Sequence, residues 1–127
     1  MSHVITEPLR QFLLQRLASV EQVEIVLLLR RDPSRSWTAS EVAAAVGSPP
    51  ESAAMRLFLL ASAGLILFEP SGMPRYRYAA TGDATDQLLA ELAEVYAEHR
   101  EEVAGLVETP APPDPVRTFA DAFKLKR

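Results

Sequence analysis

Residues 38–50, Thr38-Ala39-Ser40-Glu41-Val42-Ala43-Ala44-Ala45-Val46-Gly47-Ser48-Pro49-Pro50, decide how this chain folds. Thr38 and Glu41 have the spacing of a capping box, in which each side chain satisfies the other residue's free backbone N–H at a helix start. Val42, Ala43 and Val46 follow as a short apolar stripe, and Gly47 suits the left-handed conformation that ends a helix. Ser48-Pro49-Pro50-Glu51 repeats the box spacing and predicts a second helix. That helix turns Ala53, Leu57, Leu60 and Ala61 inward and stops at Gly64. Three residues at most separate the two helices, so they cross at a steep angle.

Downstream, Leu65-Ile66-Leu67-Phe68-Glu69 is short, apolar and β-prone, Pro70 to Pro74 is turn chemistry, and Arg75-Tyr76-Arg77-Tyr78 alternates with period two. The pattern predicts a β-hairpin with the arginines on one face and the tyrosines on the other. Upstream, Thr6-Glu7-Pro8 opens a helix that repeats Leu9, Phe12, Leu13 and Leu17. Ser19-Val20-Glu21-Gln22 has a capping box's spacing, and the apolar face from Val20 to Leu29 stops at Arg30-Arg31-Asp32-Pro33.

After the hairpin, Leu88, Leu92, Val95, Tyr96, His99, Val103 and Leu106 recur at nearly heptad spacing, which predicts one long helix with a packing seam. Pro110, Pro112, Pro113 and Pro115 make 109–115 a semi-rigid linker. Beyond it Val116, Phe119, Ala120 and Phe123 share one face of a short amphipathic helix, surrounded by Arg117, Lys124, Lys126 and Arg127. Alone in water so short a helix is marginal, so Phe119 and Phe123 are expected to dock: back on their own domain in the simplest reading, on a partner or the second chain of a dimer next, and on a membrane surface third. The expected organisation is a domain over 1–82, a long helix over 83–108, a linker over 109–115 and a basic tail helix over 116–127.

Composition narrows the function. The 127 residues carry 13 Lys+Arg against 17 Asp+Glu, a net charge of −4, with no cysteine and two histidines. Disulfide frameworks, thiolate catalysis and cysteine-based metal sites are excluded. His99 lacks a second ligand at matching spacing, so no metal site and no cofactor is expected. Phosphate-binding glycine loops, nucleophile elbows and zinc-protease motifs are missing, and the chain is expected not to be an enzyme. No apolar run approaches a membrane span's length, and the expectation is a soluble, cytoplasmic protein. The charge is unevenly spread. Residues 20–82 hold six cations and six anions, 83–114 one cation and nine anions, and 115–127 four cations and one anion.

The order helix, short turn, helix, Gly64-Leu65-Ile66, hairpin, with Ser40 to Gly47 sixteen residues before Gly64, resembles the DNA-binding core of MarR-like and PadR-like transcriptional regulators. The resemblance covers about residues 20–80, and the helix that follows resembles those families' dimerising helix. It implies a mostly α fold with a small β-hairpin wing (α+β), a winged helix-turn-helix with an N-terminal helix and a long C-terminal helix. It further implies a sequence-specific regulator bound to double-stranded DNA, with recognition helix 49–63 in the major groove and wing 67–78 beside it. Ser52, Arg56, Arg35, Arg75 and Arg77 are then the candidate DNA contacts. The seam Leu88, Leu92, Val95, Tyr96, His99, Val103 and Leu106 becomes a homodimer interface. A second reading stays open, because winged helices also serve as protein-interaction adaptors. In that case Met55, Phe58 and Leu59, or the tail's Phe119 and Phe123, hold the partner.

Overall fold

The computed structural model describes residues 5–70, 72–80 and 82–108, in the order α1 (Glu7–Arg16), α2 (Val20–Arg31), α3 (Ala39–Val46), α4 (Pro50–Ser62), β1 (Ile66–Glu69), β2 (Arg75–Tyr78), α5 (Asp83–Glu98) and α6 (Arg100–Glu108). The protein is mostly helical with a small antiparallel sheet, an α+β arrangement. The expected linker over 109–115 and tail helix over 116–127 lie outside the described residues.

Local chemistry sets most helix boundaries. Thr38 and Glu41 form the full reciprocal box, the Glu41 N–H donating to Thr38 Oγ1 over 3.1 Å and the Thr38 N–H to Glu41 Oε1 over 3.0 Å. Gly47 closes α3 at φ 75°, where a Cβ would be strained. Ser19 Oγ caps α2 by accepting from the Gln22 N–H, while Gln22 Oε1 accepts from Ala18, one residue before the cap.

The box expected over Ser48–Glu51 does not form. Pro50 disfavours the helical region for the residue before it, so Pro49 stays extended at ψ 143° and becomes the cap position. Ser48 is thereby one residue too early, and its hydroxyl acts on the Glu21 carboxylate instead.

The single helix expected over 83–108 is also corrected. Its ladder ends at His99 (φ −134°, ψ 50°), and α6 restarts with the Glu102 N–H bonded to the His99 carbonyl. His99 Nδ1 lies 3.0 Å from Glu102 Oε1, a side-chain contact across the first turn of the new helix. The break lets α6 pack on α1 and α2, where Val103 and Val107 are buried. Burying two valines offsets the interrupted ladder, at roughly 1.5–3 kcal/mol for each fully buried side chain.

The sheet register runs from Ile66 opposite Tyr78 to Glu69 opposite Arg75. Trp37, between α2 and α3, adds a bridge on the outer side of β2, with Trp37 N–H to Tyr76 O at 2.8 Å and the reciprocal bond at 2.7 Å. This bridge ties the start of α3 to the hairpin. Tyr76 and Tyr78 pack against the core, as the alternation predicted. One continuous core joins the helices, with Leu13, Ile25, Val42, Leu57, Leu89 and Val103 fully buried.

Candidate interaction face on α4 and the hairpin

α4 projects three kinds of side chain. Ala53, Leu57 and Leu60 point into the core. One turn around the helix, Ser52 and Arg56 lean toward α2, where both bind one oxygen. Ser52 Oγ donates to Glu21 Oε1 over 2.7 Å, and Arg56 Nε donates to the same atom over 3.0 Å. Burial works against the charge on Glu21, but the donors from Ser52, Ser48 and Arg56 outweigh it and hold the carboxyl below the usual range. The polar side chains expected to read DNA from this helix are therefore engaged within the chain.

The third set faces solvent and is apolar. Met55 is 61% exposed, Phe58 65% and Leu59 37%, and Leu14 on α1, 49% exposed, lines a groove with Leu59. Between α1 and α4 runs a groove of about 360 Å³, lined by Leu14, Leu17, Ala18, Gln22, Leu59 and Ala63 among others. Arg16 braces one end by donating to the Ala63 carbonyl while its guanidinium lies 5.5 Å from the Phe12 ring centre.

Three further candidate cations lie on and beside the hairpin. Arg35 and Arg75 both approach Glu41 Oε1, each at 3.9 Å, and Arg35 stacks over the Trp37 ring at 3.5 Å. The Thr38 N–H lowers the Glu41 pKa most; burial opposes it slightly, and Arg35 and Arg75 lower it further. Arg77 Nε donates to Glu69 Oε2 over 3.0 Å, and Ser36 donates to Glu69 Oε1 over 2.6 Å; the Ser36 bond, then Arg77, keep that carboxyl low. The structure thus divides the five candidates into Ser52 and Arg56 on Glu21, Arg35 and Arg75 on Glu41, and Arg77 on Glu69. Leu67, Phe68 and Met73 add exposed apolar surface to the hairpin.

The candidate dimer residues sit largely inside the chain's own packing. Leu92 and Val103 are fully buried, and Leu88, Val95, Tyr96 and Leu106 are half-buried against the same core. Tyr96 donates to Glu24 Oε2 over 2.7 Å; its own burial, then Glu24, push its pKa up to about 12. His99 holds Glu102, as described. Phe119 and Phe123 lie outside the described residues. Among the described residues, no group of three or more His, Asp or Glu is placed to hold a metal ion, and no helix is long and apolar enough to cross a membrane.

Sequence reasoning missed the organising role of the carboxylates. Glu21 read only as one of the six anions of residues 20–82, and Glu41 as one member of a capping box. A signal existed for Glu41, since Arg35 and Arg75 flank segments expected to be neighbours. None existed for Glu21, whose partners stand 31 and 35 residues away. No family model matches the chain, and neither curated proteins nor solved structures yield a match.

Proposed function

We propose that this chain is a non-enzymatic protein-interaction module built on a winged helix-turn-helix, and that the exposed face of α4 binds an amphipathic helix of a partner. The architecture is supported by the order of α2, the Trp37 bridge, α3, the Gly47 turn, α4 and the hairpin. One observation carries the functional reading. α4 turns Met55, Phe58 and Leu59 to solvent, while its polar Ser52 and Arg56 are bound to Glu21. Affinity for DNA rests on cations free to neutralise phosphate, whereas a clustered apolar face beside a groove suits helix-in-groove recognition. Exposed apolar surface of this kind marks interfaces in soluble proteins.

A second reading, the sequence-specific DNA-binding regulator acting as a homodimer, is favoured by a different observation. Arg35 and Arg75 converge on Glu41 at the hairpin's flank, both are exposed, and both contacts are long. Exposed ion pairs of this kind contribute about 0–1 kcal/mol, so phosphate can replace Glu41 there.

The test is to titrate full-length protein, labelled at its methyl groups and at its arginine side-chain nitrogens, with a designed amphipathic helical peptide and, separately, with a pool of random duplex DNA. The proposal expects Met55 and Leu59 methyl shifts with peptide. Shifts confined to the Arg35, Arg75 and Arg77 side chains, seen with DNA alone, would reverse the choice between the readings.

A further inference from the structure

The described residues end at Glu108, and their end lies at the rim of the α1–α4 groove. Glu108 Oε2 accepts a hydrogen bond from the Val20 N–H over 3.2 Å. Val20 lies between Ala18 and Gln22 in the sequence, and both of those residues line the groove. The described chain therefore ends beside that groove, whose apolar lining is Leu14, Leu17, Ala18, Leu59 and Ala63.

The sequence that follows matches the groove in spacing and reach. Val116, Phe119, Ala120 and Phe123 recur at i, i+3, i+4 and i+7, the pattern by which a helix presents anchors to a groove. Seven residues, 109–115, precede them, and four of these are proline. At about 3.1 Å per residue an extended proline-rich stretch covers roughly 20 Å. The 13 residues of α4 span a similar length, about 20 Å at ~1.5 Å per residue. A tether of this length reaches any point on the groove. Residues 5–108 hold 9 basic and 15 acidic side chains, a net −6, whereas 109–127 hold 4 basic and 2 acidic, a net +2. The acidic surplus lies in residues 83–108, which hold 1 basic and 8 acidic side chains, so charge draws the segment to the chain in general and the groove holds it by apolar contact.

We propose, resting on the protein-docking reading of this face, that residues 116–127 dock as an amphipathic helix in the α1–α4 groove of their own chain. Phe119 and Phe123 then lie against Leu14, Leu17 and Leu59, with Met55 one turn along α4 from Leu59. A tethered occupant acts at an effective concentration in the millimolar range, so an external partner gains the face only by displacing it. The segment is a resident competitor that sets the affinity threshold for partners.

The chain has no cysteine, so Lys126→Cys supplies a unique site for a nitroxide spin label on the full-length protein. The proposal predicts strong paramagnetic broadening of the Met55 and Leu59 methyl signals, lost in the Phe119→Ala/Phe123→Ala double variant. It also predicts that a synthetic 116–127 peptide binds the double variant at least tenfold more tightly than the wild type. Unbroadened Met55 and Leu59 signals overturn the proposal. Mixing spin-labelled chains with separate isotope-labelled chains tests the source: broadening there, at equal strength, means the segment comes from a second copy and overturns the same-chain claim. If a designed amphipathic peptide still shifts those methyls when the spin label does not broaden them, the docking function stands and only its resident occupant is wrong. If no peptide shifts them, the docking function itself fails.

Discussion

The guanidinium of Arg56 on α4 lies 3.0 Å from the carboxylate of Glu21 on α2, so the lone cation of α4 is neutralised by its own chain. Both groups are partly buried, which strengthens the pairing relative to a fully exposed one. Replacing Glu21 with Ala leaves Ser52 and Arg56 without their acceptor, and a charged hydrogen bond of this kind contributes about 1.5–3 kcal/mol. Glu21→Ala is expected to lower unfolding stability by about 1–2 kcal/mol, read as a reduced urea midpoint. An unchanged midpoint would show that the pair contributes nothing to the fold.

The same variant separates the two functional readings. Freeing Arg56 adds a mobile cation to α4, so weak duplex-DNA binding is expected to rise in Glu21→Ala while binding of an amphipathic peptide stays within about twofold. Gel-shift and fluorescence-anisotropy titrations at matched salt check both halves.

Acid sensitivity follows from the carboxylates. Glu21, Glu41 and Glu69 all sit below the ordinary glutamate value of 4.5, and Asp86, held chiefly by the Tyr78 hydroxyl, sits below its own value of 3.8. The folded state therefore binds fewer protons than the unfolded state near those values, and stability is lost as pH falls through the depressed range. The urea midpoint is expected to stay level from neutral pH to about pH 5 and to drop below the ordinary values. Glu21→Gln should flatten that drop more than Glu41→Gln or Glu69→Gln, because the latter two carboxylates face water and are screened.

Gly47 gives a backbone prediction. Its φ of 75° is left-handed, and a Cβ there meets no atom within 4 Å, so the cost of Gly47→Ala is conformational rather than steric. A loss of about 1 kcal/mol is expected, with Gly47→Asn costing less, both measured by thermal melting.

The exposed apolar residues give the converse case. Met55→Ser and Phe58→Ser remove side chains that contribute little to the core, and each is expected to move stability by less than about 0.5 kcal/mol. A larger loss in either would mean that these residues support the fold.

What the sequence reveals depends on how far apart the interacting residues lie. The Thr38–Glu41 box, the Gly47 stop and the hairpin alternation were legible because each is set within a few residues. The Ser48 box misled because Pro50 acts backward on Pro49, which shifts the helix start by one position. The break at His99 was hidden because apolar spacing continues through it, and only packing of α6 on α1 and α2 decides where the helix turns. Arg35, Arg56, Arg75 and Arg77 were legible as cations on or beside α4 and the hairpin. Their carboxylate partners were not, since those pairings depend on how α2, α3 and β1 converge.

The central claim is that α4 recognises its partner through apolar surface and not through arginines. Its most direct measurement is the calorimetric affinity of one designed amphipathic peptide for the wild type, Met55→Ser/Phe58→Ser and Arg56→Ala/Arg75→Ala at low and high salt. The account predicts at least a tenfold loss in the apolar variant, no more than a twofold change in the arginine variant, and little dependence on salt. Unchanged affinity in the apolar variant, with binding lost in the arginine variant and falling steeply as salt rises, would contradict it.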